Sequence, residues 1–384
     1  MNQRSRRIDT ALSCFSPLRI LAAYMLIAVG PHAFAQEAES SFDRLWSRAQ
    51  LVSGDSESVF QSVALSGRFQ VDQTNVDSGD ADFSDTDLRR FRFGVKVGFL
   101  DDFTFHTEAE FDPQGGNLGY NRLTDTYVAW SPSDALELIV GKHGAAFTMD
   151  GQTSSKELLA IDRSNLSNNI WFTEEYIPGI SVSGEKNKFV YNVGVFSSGE
   201  KDRGFGDSNG GEFVLATVGY EFAERFDANE ALLRFNFVDN EPNPNNSFTR
   251  PLEKIVSINF SFEKDRWGVR SDLSTAQGYL GQSDLAGLMV MPFFNLSDRL
   301  QLVTRYTYLD SDDPNGIRFA RYEREIAGGL GDEYRELYAG LNYFWYGHKL
   351  KLQTGLQYAD MDDRAADGGS YTGWSWTTGF RLSW

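Results

Sequence analysis

The scarcities in this sequence narrow its chemistry first. One cysteine, Cys14, and four histidines occur in 384 residues. Cys14 precedes the first apolar run, whereas a lipid-attachment cysteine would follow such a run. The remainder of the chain has no thiol, so disulfides and thiolate catalysis are excluded there. His32, His106, His143 and His348 show no metal-ligand spacing, and the nucleophile pattern Gly-x-Ser-x-Gly is absent. No enzyme, metal or cofactor is therefore expected. A formal net charge of −18 argues against a nucleic-acid partner. Long hydrophobic runs are also missing. The longest, Ile20–Val29, is half of the ~20 residues that a membrane-spanning helix needs.

That run has another use. Arg4, Arg6, Arg7 and Arg19 precede or open it, and Ala33-Phe34-Ala35 follows it as a small-residue cleavage site. Residues 1–35 read as a secretory signal peptide. Its removal takes four arginines and one aspartate, carrying the charge from −18 to −21. Residues 36–58 then read as a short periplasmic segment. Phe42, Leu45, Trp46 and Ala49 have the spacing of one amphipathic helix.

From residue 59 the hydrophobic period becomes two. Phe91, Phe93, Val95, Val97 and Phe99 share one face, and Arg90, Arg92, Gly94, Lys96 and Gly98 share the other. The same reading gives sixteen strands. They begin at 59–73, 86–99, 102–112, 123–131 and 135–143 and end at 333–346, 348–360 and 371–384. Even-numbered strands run into tight turns such as Lys264-Asp265. Odd-numbered ones run into polar loops such as 74–85, 144–177, 198–210, 240–251, 311–332 and 361–370. An all-β transmembrane antiparallel barrel has this parity, with short periplasmic turns and longer external loops. Residues 59–384 are thus expected to form a barrel in the bacterial outer membrane, in contact with the lipid bilayer. Aromatics at the expected periplasmic strand ends, among them Phe99, Phe103, Trp130, Phe293 and Trp345, read as a girdle at headgroup level.

The last strand puts Trp374, Trp376, Thr378, Phe380, Leu382 and Trp384 on one face. Its Phe380-x-Leu382-x-Trp384 ending resembles the assembly signal of outer-membrane barrels, which implies the barrel-assembly machinery as a partner. Further motifs are the basic strand Leu88-Arg89-Arg90-Phe91-Arg92-Phe93-Gly94-Val95, then Leu138-Ile139-Val140-Gly141-Lys142 followed by Phe147. Thr153-Ser154-Ser155-Lys156-Glu157 with Asp162-Arg163-Ser164 comes next, and then Tyr191-Asn192-Val193-Gly194-Val195-Phe196. In this order they resemble the phosphate-selective porin O/P family. Where that family commonly has Lys-Glu-Pro before the phenylalanine matching Phe147, this chain has Gly144-Ala145-Ala146.

The resemblance implies a homotrimeric outer-membrane porin, a passive diffusion channel that prefers small anions such as phosphate. It also implies an inward-folded third external loop, mapped onto 144–177. A structureless connection of that length is usually functional. Strand alternation puts Arg68, Arg90, Arg92, Lys96, Arg234, Arg270, Arg305, Lys351 and Arg381 on the water side, and the loop region adds Lys142, Lys156 and Arg163. Together they form the candidate anion path. Glu108, Glu110, Asp112, Asp125, Glu137, Asp272 and Glu336 share the water side, and cross-strand pairing would neutralise part of both sets. A general or cation-preferring diffusion porin on the same barrel therefore stays open, as does an adhesive barrel with a closed pore.

Overall fold

The computed structural model describes residues 40–54, 58–113, 119–171, 175–199 and 204–384. The expected signal peptide and Cys14 lie outside the described residues. The chain divides into two units, Met1–Leu45 and Trp46–Trp384. In the first, Ser40 caps a short helix that begins at Ser41. Its hydroxyl accepts from Asp43 N at 3.0 Å, and Asp43 Oδ2 accepts from Ser40 N at 2.9 Å. That helix ends at Trp46, one turn short of the expected Ala49. After a 3-10 turn at Ser47–Ala49 the chain becomes strand β1, Gln50–Ser53.

Sixteen longer strands follow. They are β2 Phe60–Asp77, β3 Asp82–Phe99, β4 Phe103–Phe111, β5 Tyr120–Ser133, β6 Leu136–Gly144, β7 Tyr176–Lys186, β8 Phe189–Ser197 and β9 Glu212–Glu221. Then come β10 Glu230–Asn240, β11 Leu252–Lys264, β12 Trp267–Gly278, β13 Leu285–Asn295, β14 Leu300–Ser311, β15 Glu333–Tyr346, β16 Leu350–Asp362 and β17 Tyr371–Ser383. Each pairs antiparallel with the next. β17 returns to β2 through Phe380↔Val71 and its neighbours, so the sheet closes into a barrel and leaves no long edge. β1 pairs with the start of β2, Ser53 facing Ser62.

The turns follow the expected parity. At one two-residue turn, Lys186 pairs with Phe189, and Asn187 and Lys188 both take positive φ (51° and 70°). That double left-handed turn matches the twist of a two-residue hairpin, and asparagine tolerates it well. One loop differs from expectation. The polar stretch 74–85 is mostly strand, and only 78–81 turns. One face is a polar ladder, in which Ser84 Oγ donates to Asn75 Oδ1 at 2.8 Å and Thr86 Oγ1 bonds Gln73, while Val76 pairs with Phe83 as its one large apolar pair. Hydrophobic alternation cannot register a strand that continues beyond an apolar band.

Outward residues are apolar and exposed, among them Val140, Val193, Val218, Leu273, Leu337 and Trp374. Inward residues are mostly polar and buried, as in Arg68, Gln70, Asp72 and Thr74 on β2. This inside-out pattern is that of a wall between lipid and a polar interior. Near the long-loop rim the inward face turns apolar. Phe213, Leu215, Val238, Ile255, Leu285 and Leu309 pack against Phe147, Met149, Leu166 and Ile170 from the loop after β6. Phe293 is a correction to the expected girdle. It shares the inward parity of Met289 and Met291 and is 6% exposed. It lies across from Gly268, where an added Cβ would come within 2.3 Å of its ring.

Candidate pore lining and constriction

The connection after β6, residues 145–175, has its own scaffold. Thr148 and Ser164 cap helical turns at Met149–Gln152 and Asn165–Ile170, and Asp150 Oδ2 joins the two by accepting from Ser164 N at 2.7 Å. Arg163 stitches the segment further. It donates to Asp150 O (2.9 Å) and Thr153 O (3.1 Å), pairs with Glu175 (2.9 Å) and lies over the Trp171 ring.

Lumen-facing side chains then hold this loop across the barrel. Met149 N donates to Asp272 at 2.6 Å, and Gln152 Nε2 to Asn259 at 2.7 Å. Arg68 reaches Ser155 Oγ at 2.6 Å, and Lys156 donates to Trp384 O at 3.1 Å. Between Leu158 and Asp162 the loop's carbonyl groups are taken by the wall. Lys351 donates to Leu158 O (2.7 Å), Asn342 to Leu159 O (2.8 Å), Arg381 to Ile161 O (3.2 Å) and Arg305 to Asp162 O (2.8 Å). Backbone with no sheet partner must find acceptors and donors elsewhere when buried, and the inward cations supply them.

The expected anion path therefore separates by surroundings. Five members are ion-paired: Arg68–Glu108 (3.0 Å), Arg92–Glu110 (3.3 Å), Arg270–Glu230 (3.0 Å), Arg305–Glu336 (2.6 Å) and Arg381–Asp72 (2.5 Å). Arg163 is taken up inside the loop. Lys142 shares the parity of outward Val140, not of inward His143, and donates to Gly204 O at 2.7 Å. Lys96 is exposed near the short-turn rim, and Arg234 is half-buried opposite Gly219 and Asn259. Arg90 differs from all of these. It is 6% exposed, and its partner is the neutral Gln70 Oε1 at 2.9 Å.

Electrostatics within the loops follow from burial and neighbours. Burial, helped by nearby Arg68, brings Lys156 down to about 8. Asp162 and Glu175 are also buried, but Arg89 and Arg321 beside the first and Arg163 and Arg92 beside the second hold both well below the usual carboxylate range. Arg68 Nε, Arg92 Nη2 and Glu108 Oε2 are buried without a hydrogen-bond partner among the described residues.

Sequence reasoning missed a second basic group. Arg250 on the loop 241–251 and Arg318 and Arg324 on the loop 312–332 have no carboxylate partner among the described residues. Arg250 donates to Asn168 O (2.8 Å) and Arg318 to Gln282 Oε1 (3.0 Å). The spacing Arg318-x-x-Arg321-x-x-Arg324 was the available signal. Hydrolytic chemistry finds little support. His106 bonds Ser66 Oγ (3.0 Å) and His143 bonds Ser181 Oγ (2.8 Å), but neither ring is oriented by a carboxylate hydrogen bond. Among the described residues no group of three His, Cys, Asp or Glu is arranged to hold a metal ion.

A closed sixteen-stranded barrel with a buried loop across its lumen narrows the possible families sharply. Residues 63–253 match the family described as phosphate-selective porin O and P. The chain belongs to this porin family. Solved porins share its fold at low identity. The outer-membrane channel DcaP of Acinetobacter baumannii is 14% identical, with 86% of this chain and all of that one aligned at a TM-score of 0.57. OprB of Pseudomonas putida is 10% identical over 92% of this chain and all of its own, at 0.61. OmpT of Vibrio cholerae in its trimer form is 12% identical over 84% and 99%, at 0.53. No curated protein sequence matches this one. By family and fold this porin is an outer-membrane channel.

Proposed function

We propose that this porin passes small hydrophilic solutes by passive diffusion and prefers anions, phosphate or a similar oxyanion among them. The carrying observation is Arg90, a buried lumen guanidinium whose hydrogen-bond partner is an amide and not a carboxylate. A buried charge that no carboxylate hydrogen-bonds keeps part of its field for whatever enters, and low-dielectric walls focus that field. Lys351 and Arg234, which have no carboxylate partner among the described residues, and Lys156, which donates to Trp384 O, extend the positive path from the loop to the wall. Arginine can meet an oxyanion with two parallel donors, while binding stays weak enough for release.

We further propose export by the signal peptide 1–35, with 36–58 as a periplasmic lead-in, and assembly as a homotrimer. Phe380, Leu382 and Trp384 would be read by the barrel-assembly machinery. Planar-bilayer recording under a KCl gradient tests the preference. The parent should give stepwise conductance with an anion-selective reversal potential, and Arg90→Gln should move that potential toward cations with the channel intact. Phosphate should reduce the parent's chloride current more than the variant's. A cation-selective parent would hand the lumen to Asp125, a buried carboxylate that makes no ion pair among the described residues, and to the cation-preferring reading.

A further inference from the structure

The connection after β14, residues 312–332, was expected to stand outside the barrel as an ordinary loop. Its residues say otherwise. Ile317, Phe319, Ala320 and Glu323 are 0, 4, 9 and 1% exposed. The base is closed by paired backbone bonds between Ile317 and Gly331 (2.9 and 2.8 Å). From there the loop reaches across the barrel. Tyr322 OH donates to Asp72 on β2 (2.8 Å), Arg321 pairs with Asp87 on β3 (2.7 Å), and Phe319 meets the Tyr371 ring on β17 at 5.7 Å. It also grips the other inward loop. Arg318 N donates to Asn169 Oδ1 (2.8 Å), and Arg318 O accepts from Asn165 and Asn169 (3.0 and 3.1 Å). Ile161, Asn168, Tyr322, Glu323, Tyr338 and Gln357 line a cavity of about 30 Å³ left between the two loops and the wall. That is room for a few waters at most.

Glu323 sits at the centre of this seat. Its carboxylate accepts from Tyr334 OH (2.8 Å), Gln357 Nε2 (2.9 Å) and Ala320 N (3.1 Å), and among the described residues no cation pairs with it. The groups facing it are Tyr334 and Glu336 on β15, Arg305 on β14, neutral Gln357 on β16 and Tyr371 on β17. Arg305 is committed to Glu336. On its own loop, Arg321 and Tyr322 are committed to Asp87 and Asp72. We infer that residues 312–332 are a second constriction element of the pore, and that Glu323 is the positioning residue that seats it. The inference rests on the channel reading above.

Burial, with Glu336 nearby, raises Glu323 from 4.5 to about 7. A carboxyl group that is harder to ionise in the seated loop than in the released one favours the seated loop when protonated. Seating is therefore complete below about 4.5 and weakens as pH rises through about 7. Across that window the seating equilibrium shifts on the order of a hundredfold.

Single-channel recording of the full chain in planar bilayers provides the test. Parent conductance should rise between pH 5 and pH 8. Glu323→Gln, which keeps an accepting oxygen but never ionises, should hold the low-pH conductance throughout. A second variant does not depend on Glu323. The chain beyond Cys14 has no cysteine, so Phe319→Cys with Tyr371→Cys can be bridged by a short bifunctional thiol reagent. Bridging should lock the low conductance at pH 8. A parent that is flat with pH, a Glu323→Gln profile that follows the parent, or a bridge that leaves the conductance at pH 8 unchanged would each overturn the inference while the channel reading stood. Absence of conductance in every form would remove both.

Discussion

Arg305→Ala measures whether the barrel interior is packed or wet. Arg305 and Glu336 are 2.6 Å apart, with side chains 2 and 1% exposed. Arg305 also donates to Asp162 O of the inward loop and stacks over Tyr338. Truncation leaves Glu336 buried with Thr307 Oγ1 (3.2 Å) as its remaining donor, because Tyr334 OH, 3.4 Å away, gives its one proton to Glu323 at 2.8 Å. One neutral hydroxyl does not replace a guanidinium. Breaking a buried pair from one side costs about 3–5 kcal/mol, whereas an exposed pair is worth about 0–1. The larger figure corresponds to two to three and a half powers of ten in the folding equilibrium. Denaturant unfolding in detergent, followed by the heat-modifiable gel shift, reads the difference. Arg305→Met with Glu336→Leu should recover most of the loss, because a shape-matched apolar pair leaves no charge unpaired. A loss under about 1 kcal/mol for the single variant would mean that water reaches this pair, and the loop would not be seated as described.

Two further outcomes test the wall. Val95→Arg, outward between Leu65 and Thr107, should cost about 2–4 kcal/mol near the bilayer midplane, while Lys96→Ala, one residue on and water-facing, should stay within about 0.5. Similar losses at both positions would shift the register by one residue. Deleting Trp384 removes two backbone bonds to Gly67 at the β17–β2 seam (both 3.2 Å) and a ring contact with Phe93 (5.2 Å). Folded protein in the outer membrane should fall, and an unchanged yield would dismiss the seam and assembly reading together.

How much could be read without coordinates depended on which force set each feature. Lipid on one face and water on the other impose a two-residue period, and tight turns need particular residues. The sixteen strands were therefore legible, within three residues of their observed ends except around 74–85. Lumen parity was legible for the same reason at Arg68, Arg90, Arg92, Arg305, Lys351 and Arg381. Pairing was not. Whether an inward arginine faces solute or a carboxylate depends on the strand opposite and on what crosses the lumen. Arg92 meets Glu110 one strand away, whereas Lys351 ends on Leu158 O, 193 residues earlier in the chain.

The two inward loops show where that limit lies. Residues 145–175 announced themselves by length, and their apolar Phe147, Met149, Leu166 and Ile170 need cover that only the barrel interior offers. Residues 312–332 carry Ile317, Phe319 and Tyr322 among five acidic and three basic side chains, which reads as a solvated loop. Its apolar residues are too few to bury the segment unaided. What holds it is side-chain bonding to Asp72, Asp87, Tyr334 and Gln357, each on a different strand. None of the four is a neighbour in sequence except Tyr334. A loop seated mainly by polar contacts also comes loose at smaller cost than one seated by an apolar core, because water can replace its partners. The barrel thus crosses its lumen with one loop anchored by apolar packing as well as hydrogen bonds and another that adds fewer apolar residues to its hydrogen bonds. Of the two, the second is the element whose position pH can change.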